Sequence, residues 1–165
     1  RSRGLGDVYK RQPHEPTEPE IERLKALFSD QGYSATVFRK RKNLTLPPDP
    51  VIILGVVGIL SKLYWQGQIA FVGGGLSTGI HNVMEPAIAR LPVLFGPKYN
   101  HAHEEEDLLE SGGGFCVTSQ DEFEAVIQSL IQDDAYFTQA SLAATDVIHK
   151  NLGSSTRIIR SLIRD

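Results

Sequence analysis

Short apolar runs alternate along this chain with segments whose apolar residues recur every three or four positions. The runs predict buried strands, and the spaced apolar residues predict amphipathic helices. The predicted strands are "SATVFR", "VIILG", "QIAFV", "LPVLFG" and "GFCVT". Because strands and helices alternate at short spacing, the chain is predicted to form a parallel sheet with helices on both faces, which is a Rossmann-like α/β fold.

The predicted helices are bounded by capping residues and glycines. Thr17 and Glu20 have the spacing of a capping box, and that helix ends at Gly32. Ser119 and Glu122 have the same spacing before an apolar stripe. The other helices are predicted over residues 58–66, 80–88, 101–110, 135–151 and 155–164.

Composition excludes several classes of protein. The chain has 165 residues, of which 41% are hydrophobic and 22% charged, with a formal net charge of −3. This balance is ordinary for a globular domain and provides no basic field for nucleic acid. Cys116 is the single cysteine, so the chain holds neither an internal disulfide nor a multi-cysteine zinc site. The longest apolar run, Val51–Leu60, is too short to span a bilayer.

The first twelve residues, "RSRGLGDVYKRQ", stand apart from this pattern. Their core, "DVYKRQ", resembles the in-frame translation of a transposon adapter used in sequencing libraries. We therefore expect residues 1–12 not to be native and the native sequence to begin at Pro13, with earlier residues missing. The alternative is a genuine polar tail that contains a short strand.

A glycine-rich stretch, "FVGGGLSTGIHNVMEPA", connects a predicted strand to a predicted helix over residues 71–87. Glycine lets the backbone approach a ligand closely, and unpaired N–H groups at a helix start favour an anion such as phosphate. The stretch matches neither Walker A nor the dinucleotide fingerprint, since Gly79 is not followed by Lys and Thr78 stands at the third glycine position.

Tight packing of strand against helix is the alternative explanation of these glycines. Asn82 and Glu85 have capping-box spacing, which predicts Asn82 as the N-cap of the helix. Pro86 must then lie near the start of the helix, because deeper inside it would break the hydrogen-bond ladder.

The stretch "FVGGGLSTGIHNVMEPAIARLPVLFGP" resembles the C-terminal domain of the 3-deoxy-D-manno-octulosonic acid (Kdo) transferases, which are inverting glycosyltransferases of the GT-B fold. The earlier "PHEPT" and "VIILGVVGILSKLYWQGQIAFVGGG" fit the same domain in the same order. The resemblance runs from about Pro13 to Ile163. It implies that residues 13–165 form the nucleotide-sugar-binding half of a GT-B enzyme.

The family transfers Kdo from CMP-Kdo to a lipid A precursor at the cytoplasmic face of the bacterial inner membrane. Its N-terminal domain binds the lipid acceptor, carries the membrane anchor and supplies the catalytic carboxylate. The resemblance thus implies that this chain lacks the acceptor domain, contains no catalytic residue and is inactive alone. It implies no cofactor and no metal.

The resemblance also assigns residues to the donor site. It places the glycine loop at the phosphate of the sugar donor, where the Ser and Thr hydroxyls could donate hydrogen bonds. It places the Gly-His-Asn at the helix start, and the Glu of Glu-Pro at the ribose hydroxyls. These residues are Gly73, Gly74, Gly75, Ser77, Thr78, Gly79, His81, Asn82 and Glu85. The residues expected at the lip of the cleft are His14, Glu15, Phe95, Gly96 and Pro97. Related sequences tend to have a polar pair where this chain has Gly55 and Val56.

Several other features have a purely structural explanation as well as a functional one. His101, Glu104 and Glu105 could share a helix face and bind a metal, or form a solvated, acidic helix start. The basic run Arg39–Lys42 could contact anionic lipid or phosphate, or be a solvated loop. Cys116 is expected to be a small core residue. Packing rather than base stacking is also expected of two aromatic residues, Tyr64 and Trp65.

Two other functions remain open at the level of sequence. A GT-B glycosyltransferase or an epimerase that uses a UDP-sugar would carry similar loops, and nucleobase preference would separate it from a CMP-Kdo enzyme. A non-enzymatic α/β module would use the glycines for packing alone and would bind no nucleotide.

Overall fold

Two parallel three-stranded sheets form the framework of the chain, one in each of two units, Arg1–Leu63 and Tyr64–Asp165. The computed structural model describes residues 9–40, 45–47, 49–76, 79–99 and 103–151. Strands and helices alternate in both units. The prediction of a Rossmann-like α/β fold is confirmed.

The first unit is built around its last strand. In chain order it contains β1 (Tyr9–Arg11), α1 (Glu18–Asp30), β2 (Ala35–Phe38) and β3 (Val51–Leu54), and the boundary to the second unit falls within α2 (Leu60–Tyr64). β3 lies between β1 and β2 and runs parallel to both, with Val51 level with Tyr9 and Ala35. The strand β1 consists of residues expected not to be native. Its pairing with β3 does not decide their origin, because ladder hydrogen bonds join backbone groups whichever side chains a strand carries. Their origin stays a prediction.

Both faces of this sheet are covered. Ile53 packs with Ile21 and Leu24 of α1, whereas Ile52 and Leu54 pack with Ile59 and Leu63 on the other face. This alternation follows from the two-residue period of a strand. The predicted helix over residues 58–66 is shorter than expected, because Gly58 has a φ of +80°, which is not helical.

The second unit repeats the arrangement with more helices. It contains β4 (Ala70–Val72), α3 (Met84–Ile88), β5 (Val93–Phe95), α4 (His103–Ser111), β6 (Gly114–Cys116), α5 (Gln120–Gln132) and α6 (Asp134–Asn151). β5 lies between β4 and β6, parallel to both, and all three of its residues are buried.

Alternate residues of β5 reach two different cores. Val93 and Phe95 pack with residues of α3, α4 and α6, which are Ala87, Leu108, Ala144, Val147 and Ile148. Leu94 packs on the opposite face with Leu130 of α5 and Ala140 of α6. The expectation of helices on both faces is therefore confirmed in this unit too.

The capping boxes predicted for α1 and α5 have different outcomes. Ser119 Oγ accepts a hydrogen bond from the Glu122 N–H at 3.2 Å, as predicted, and the Glu122 carboxylate reaches back to the Thr118 N–H at 2.7 Å. The bonds from Thr118 hold the pKa of Glu122 below its usual value. The Thr17 capping box is wrong, since the Thr17 side chain makes no capping hydrogen bond. The Glu20 carboxylate instead pairs with Arg23 at 2.7 Å.

Two further predictions concern the C-terminal helices. α6 begins one residue before the predicted start and ends at Asn151, as expected. The predicted helix over residues 155–164 lies outside the described residues. None of the helices described is both long and apolar enough to cross a membrane.

Glu105, in the first turn of α4, is a buried carboxyl group. The residue is 8% exposed, and its Oε2 atom has no hydrogen-bond partner. Burial raises its pKa, and the neighbouring Glu104 and Glu106 carboxylates add to that effect. Because the folded state holds the proton more tightly than the unfolded chain, ionising Glu105 lowers the free energy of unfolding.

Glu105→Gln is expected to raise the free energy of unfolding at pH 7 by about 1 kcal/mol, since it removes a buried charge. The gain should be absent below the pKa of the unfolded carboxyl and grow as the pH rises through the raised folded pKa. Urea denaturation between pH 4 and pH 8 measures it. Glu104→Gln removes an exposed carboxylate from the same helix, and we expect a smaller change. An equal gain in both variants would contradict the assignment to burial.

Candidate functional site

The loops after β4 and β5 lie side by side at the carboxyl edge of the second sheet. The two strands are hydrogen-bonded neighbours with Val72 level with Phe95, so the chain leaves both strands at the same level. The first loop, residues 73–83, carries the glycines, and the second begins with Gly96. Ligands of open parallel sheets bind at this edge, which makes these loops the candidate site.

Gly75 and Gly96 allow the two loops to pack backbone against backbone. A Cβ on Gly75 would lie 2.7 Å from both the N and the O of Gly96, and one on Gly96 would lie 2.6 Å from the carbonyl carbon of Gly75. The Lys98 N–H also donates to the Gly75 carbonyl at 2.7 Å. Close packing of the two loops therefore requires glycine at Gly75 and Gly96, as the packing explanation predicted.

Gly74 and Gly79 close the first loop on itself. The Gly79 N–H donates to the Gly74 carbonyl at 3.1 Å, and φ is +93° at Gly74 and +110° at Gly79. A Cβ on Gly74 would lie 2.0 Å from the Gly79 carbonyl oxygen, so only glycine fits. Ser77 and Thr78, the expected hydroxyl donors, lie outside the described residues.

Gly73 differs from its neighbours. A Cβ on Gly73 would meet no atom of the described residues within 4 Å, and the φ of Gly73 lies outside the left-handed region. Neither close packing nor backbone conformation among the described residues therefore requires glycine here. Gly73 is thus the one described glycine of this loop for which the protein itself supplies no structural requirement.

The segment after the loop differs from the prediction. Residues 80–83 are not helical, and α3 spans only the five residues from Met84 to Ile88. The Asn82 Oδ1 accepts a hydrogen bond from the Met84 N–H at 2.8 Å, whereas Val83 is the N-cap residue. The predicted Asn82–Glu85 capping box is therefore wrong, because an Asx turn takes the place of the first helical turn. Pro86 lies near the start of the helix, as predicted.

His81 and Asn82 are exposed, and Glu85 is half-buried in the first turn of α3. The helix α3 ends after five residues, since Arg90 has a φ of +64° and the Leu91 N–H donates to the Pro86 carbonyl at 3.1 Å. The glycine loop thus does not run directly into a helix start. Anion binding here would depend on loop N–H groups rather than on a helix dipole.

Tyr64 is a half-buried residue at the end of α2. Burial, and secondarily the Glu85 carboxylate, raise the pKa of Tyr64 to about 12. The ring packs against a small apolar cluster of Ala70, Ala89 and Leu91. The expectation of a packing role is confirmed for Tyr64 but is wrong for Trp65, which is 63% exposed.

The residues expected at the lip of a cleft fall into different environments. Phe95 is fully buried and makes an edge-to-face contact with Tyr99, so its side chain belongs to the core. Pro97 is exposed, and Gly96 is buried beneath the glycine loop. His14 and Glu15, in the first unit, are exposed in the loop after β1. Lys98, which the sequence analysis did not select, is exposed next to Pro97.

The described residues offer no metal centre, since no three His, Cys, Asp or Glu side chains among them are grouped closely enough to hold an ion. His101 lies outside the described residues, Glu104 is exposed and Glu105 is buried. These two carboxylates therefore do not share a solvent-facing surface. Burial raises the pKa of the Cys116 thiol, which agrees with a packing role.

The fold and the loops together define a Rossmann-like domain whose candidate site is a glycine loop at the carboxyl edge of a parallel sheet. A crystal structure of the C-terminal CMP-Kdo binding domain of WaaA from Acinetobacter baumannii has this fold. It matches with a TM-score of 0.71 and 19% sequence identity, over 86% of this chain and 73% of that chain.

Several proteins of similar sequence share one name. The 3-deoxy-D-manno-octulosonic acid transferase of Chlamydia muridarum is 33% identical over 144 residues, which are 82% of this chain and 32% of that protein. The transferase of Chlamydia pneumoniae is 38% identical over 84 residues, 49% of this chain and 18% of that protein. That of Aquifex aeolicus is 36% identical over 83 residues, 49% of this chain and 24% of that protein. No family model matches the chain.

This chain is therefore a relative of the Kdo transferases, and the resemblance stated from its motifs is confirmed. It spans between 18% and 32% of the length of these relatives.

Proposed function

We propose that this chain is the donor-binding half of a glycosyltransferase that transfers Kdo from CMP-Kdo to a lipid A precursor. The observation that carries the proposal is the open position at Gly73, at the carboxyl edge of the sheet, in a loop whose other described glycines are explained by packing or backbone conformation. The names of the relatives supply the chemistry of the donor. The full-length protein would act at the cytoplasmic face of the inner membrane.

In this proposal the described part of the chain supplies two interactions. N–H groups of the loop around Gly73 face the donor phosphate and stabilise its negative charge as it leaves. The Glu85 carboxylate accepts hydrogen bonds from ribose hydroxyls, for which an ionised carboxylate has enough lone pairs. Ser77, Thr78, His81 and Asn82 complete the proposed donor site.

In this proposal the remaining steps take place in the N-terminal acceptor domain of the full-length enzyme. A carboxylate base there would deprotonate the acceptor hydroxyl, and the lipid acceptor and the membrane would be bound there as well. We therefore expect no transfer when this chain is incubated with CMP-Kdo and an acceptor. Turnover by the chain alone would contradict this division of roles.

Titration of the chain with CMP and with UMP, followed by backbone-amide NMR, tests the donor proposal. We expect CMP to shift the amides of residues 73–76 and 79–85, with UMP weaker. Glu85→Ala should raise the Kd for CMP about tenfold, since a charge-assisted hydrogen bond is lost. Glu110→Ala removes an exposed carboxylate of the same charge from α4 and should leave the Kd unchanged.

The other outcomes separate the alternatives. Shifts from UMP equal to or larger than those from CMP would favour an enzyme that uses a UDP-sugar. A folded spectrum without shifts from either nucleotide would contradict donor binding by this chain and favour packing as the whole role of the glycines.

A further inference from the structure

Lys98 is a cationic residue whose backbone lies against the glycine loop. Its N–H donates to the Gly75 carbonyl at 2.7 Å, and its carbonyl oxygen is 3.9 Å from the position of a Cβ on Gly79. The backbone of Lys98 therefore follows the loop from Gly75 to Gly79. Because Lys98 is the third residue after β5, it stands at the carboxyl edge of the sheet, and it is exposed there.

Positive charge is scarce in this part of the chain. From Tyr64 to His149 the sequence has twelve Asp and Glu residues but only two Lys and Arg residues, Arg90 and Lys98. Arg90 precedes β5 and Lys98 follows it, so the two stand toward opposite edges of the sheet. The next Lys along the chain, Lys150, is in the last turn of α6. A phosphate that approaches the carboxyl edge thus meets a stretch of net negative charge in which Lys98 is the nearby cation.

The side chain of lysine suits a phosphate at this position. Lysine carries a compact positive charge and three N–H donors on a flexible four-carbon stem, and it binds phosphate as a point charge. Backbone N–H groups supply only partial charges. Because its backbone is bonded to Gly75, Lys98 keeps its ammonium group within one side-chain length of the glycine loop.

We propose that Lys98 is a donor-binding residue, whose ammonium group pairs with the nucleotide phosphate held by the glycine loop. The inference rests on the proposed function, which places that phosphate at the loop. The loop N–H groups and the ammonium group then share the negative charge of the phosphate, in the bound donor and as the phosphate leaves.

Two substitutions at Lys98 test the charge. Lys98→Met removes the charge and keeps most of the length of the side chain. It should raise the Kd for CMP about fivefold, the upper range for an exposed ion pair. The Kd for cytidine, which has no phosphate, should not change. Lys98→Arg keeps the charge and should bind CMP within about twofold of the unaltered chain.

Lys62→Met is the matched control, since it removes an exposed lysine from α2 and should leave both Kd values unchanged. Urea denaturation should give the same free energy of unfolding for Lys98→Met and the unaltered chain. The bond from the residue 98 N–H to the Gly75 carbonyl is a backbone bond, and it is present in both.

Phosphorus NMR of bound CMP reports on the contact independently of affinity. The second pKa of a phosphate monoester is about 6, and a nearby ammonium group lowers it by favouring the dianion. The phosphate of bound CMP should therefore titrate at a higher pH in Lys98→Met than in the unaltered chain. Lys62→Met should leave this titration in place.

Several results would overturn the role of Lys98. These are an unchanged Kd for CMP in Lys98→Met, an equal loss for cytidine, a loss in Lys98→Arg as large as in Lys98→Met, or an unchanged phosphate titration. A loss confined to CMP-Kdo would assign the ammonium group to the carboxylate of the sugar and overturn the phosphate contact. In all these outcomes CMP still binds the unaltered chain, so the proposed function stands. Failure of the unaltered chain to bind CMP would overturn the proposed function, and with it the role of Lys98.

Discussion

Gly75→Ala is expected to lower the free energy of unfolding by about 3 kcal/mol or more, the upper range for overpacking a buried position. The new Cβ would lie 2.6 Å from the Ile80 side chain and 2.7 Å from the N and O of Gly96. Backbone atoms cannot rotate away as a flexible side chain can. Relief would need the loops after β4 and β5 to separate and would cost the hydrogen bond from the Lys98 N–H to the Gly75 carbonyl.

Gly73→Ala is the matched control for this experiment. The same atom added two residues earlier meets nothing within 4 Å in the part of the chain that the structure describes, and the backbone at Gly73 has no positive φ. We expect the free energy of unfolding to change by less than about 0.5 kcal/mol. If the proposed function is right, Gly73→Ala should still weaken CMP binding, because the methyl group occupies the surface facing the donor phosphate.

Urea denaturation followed by circular dichroism measures both stabilities, and amide NMR measures both affinities. Equal destabilisation by the two substitutions would contradict the packing of Gly75 against Gly96. A Gly73→Ala variant with unchanged stability and unchanged CMP affinity would show that no ligand approaches this glycine. The pair thus separates glycine required by the protein from glycine required by a ligand.

Gly113→Ala is expected to be comparably severe, with a loss of about 3 kcal/mol. Gly113 is buried just before β6, and a Cβ there would lie 2.3 Å from the N and 2.5 Å from the Cα of Ala144 in α6. The added atom would push α6 off the core, where Ala144 and Val147 pack with Phe95. Its own carbonyl accepts the Val93 N–H at 3.0 Å, so Gly113 cannot move without disturbing β5.

Gly112→Ala provides the comparison within the same turn. Gly112 has a φ of +79° and open space around its Cβ direction, so alanine is strained there without meeting another atom. We expect a loss of about 1 kcal/mol, the cost of the left-handed conformation for a residue with a Cβ. Unfolding in urea distinguishes the two variants. A Gly113→Ala variant no less stable than Gly112→Ala would show that α6 does not rest on Gly113.

Local sequence patterns predicted the structure of a segment correctly where a single structural preference acts on it. The apolar runs "VIILG" and "LPVLFG" contain the central strands β3 and β5, because strands buried on both faces must be apolar throughout. Ser119 and Glu122 cap α5 as their spacing predicts. Glycine in the left-handed region follows both α1 and α4, at Gly32 and Gly112, as expected for helix ends.

Competition between rules explains the wrong predictions. The apolar spacing from Ile80 to Ile88 fits one helical face, yet the Asn82 side chain bonds to the Met84 N–H and delays the helix. Ile88, predicted to be on the buried face, is 49% exposed. At Thr17 the spacing for a capping box is present, but the Glu20 carboxylate forms an ion pair with Arg23, one turn further along the helix, instead of a capping bond.

The amino-acid sequence by itself determined the α/β class, the order of the elements, and the family to which the glycine stretch points. These follow from periodicity and from residues adjacent in the chain. Only the tertiary structure decided what each glycine is for, because the answer depends on atoms distant in sequence: Gly96 beside Gly75, Ala144 beside Gly113, and open space at Gly73.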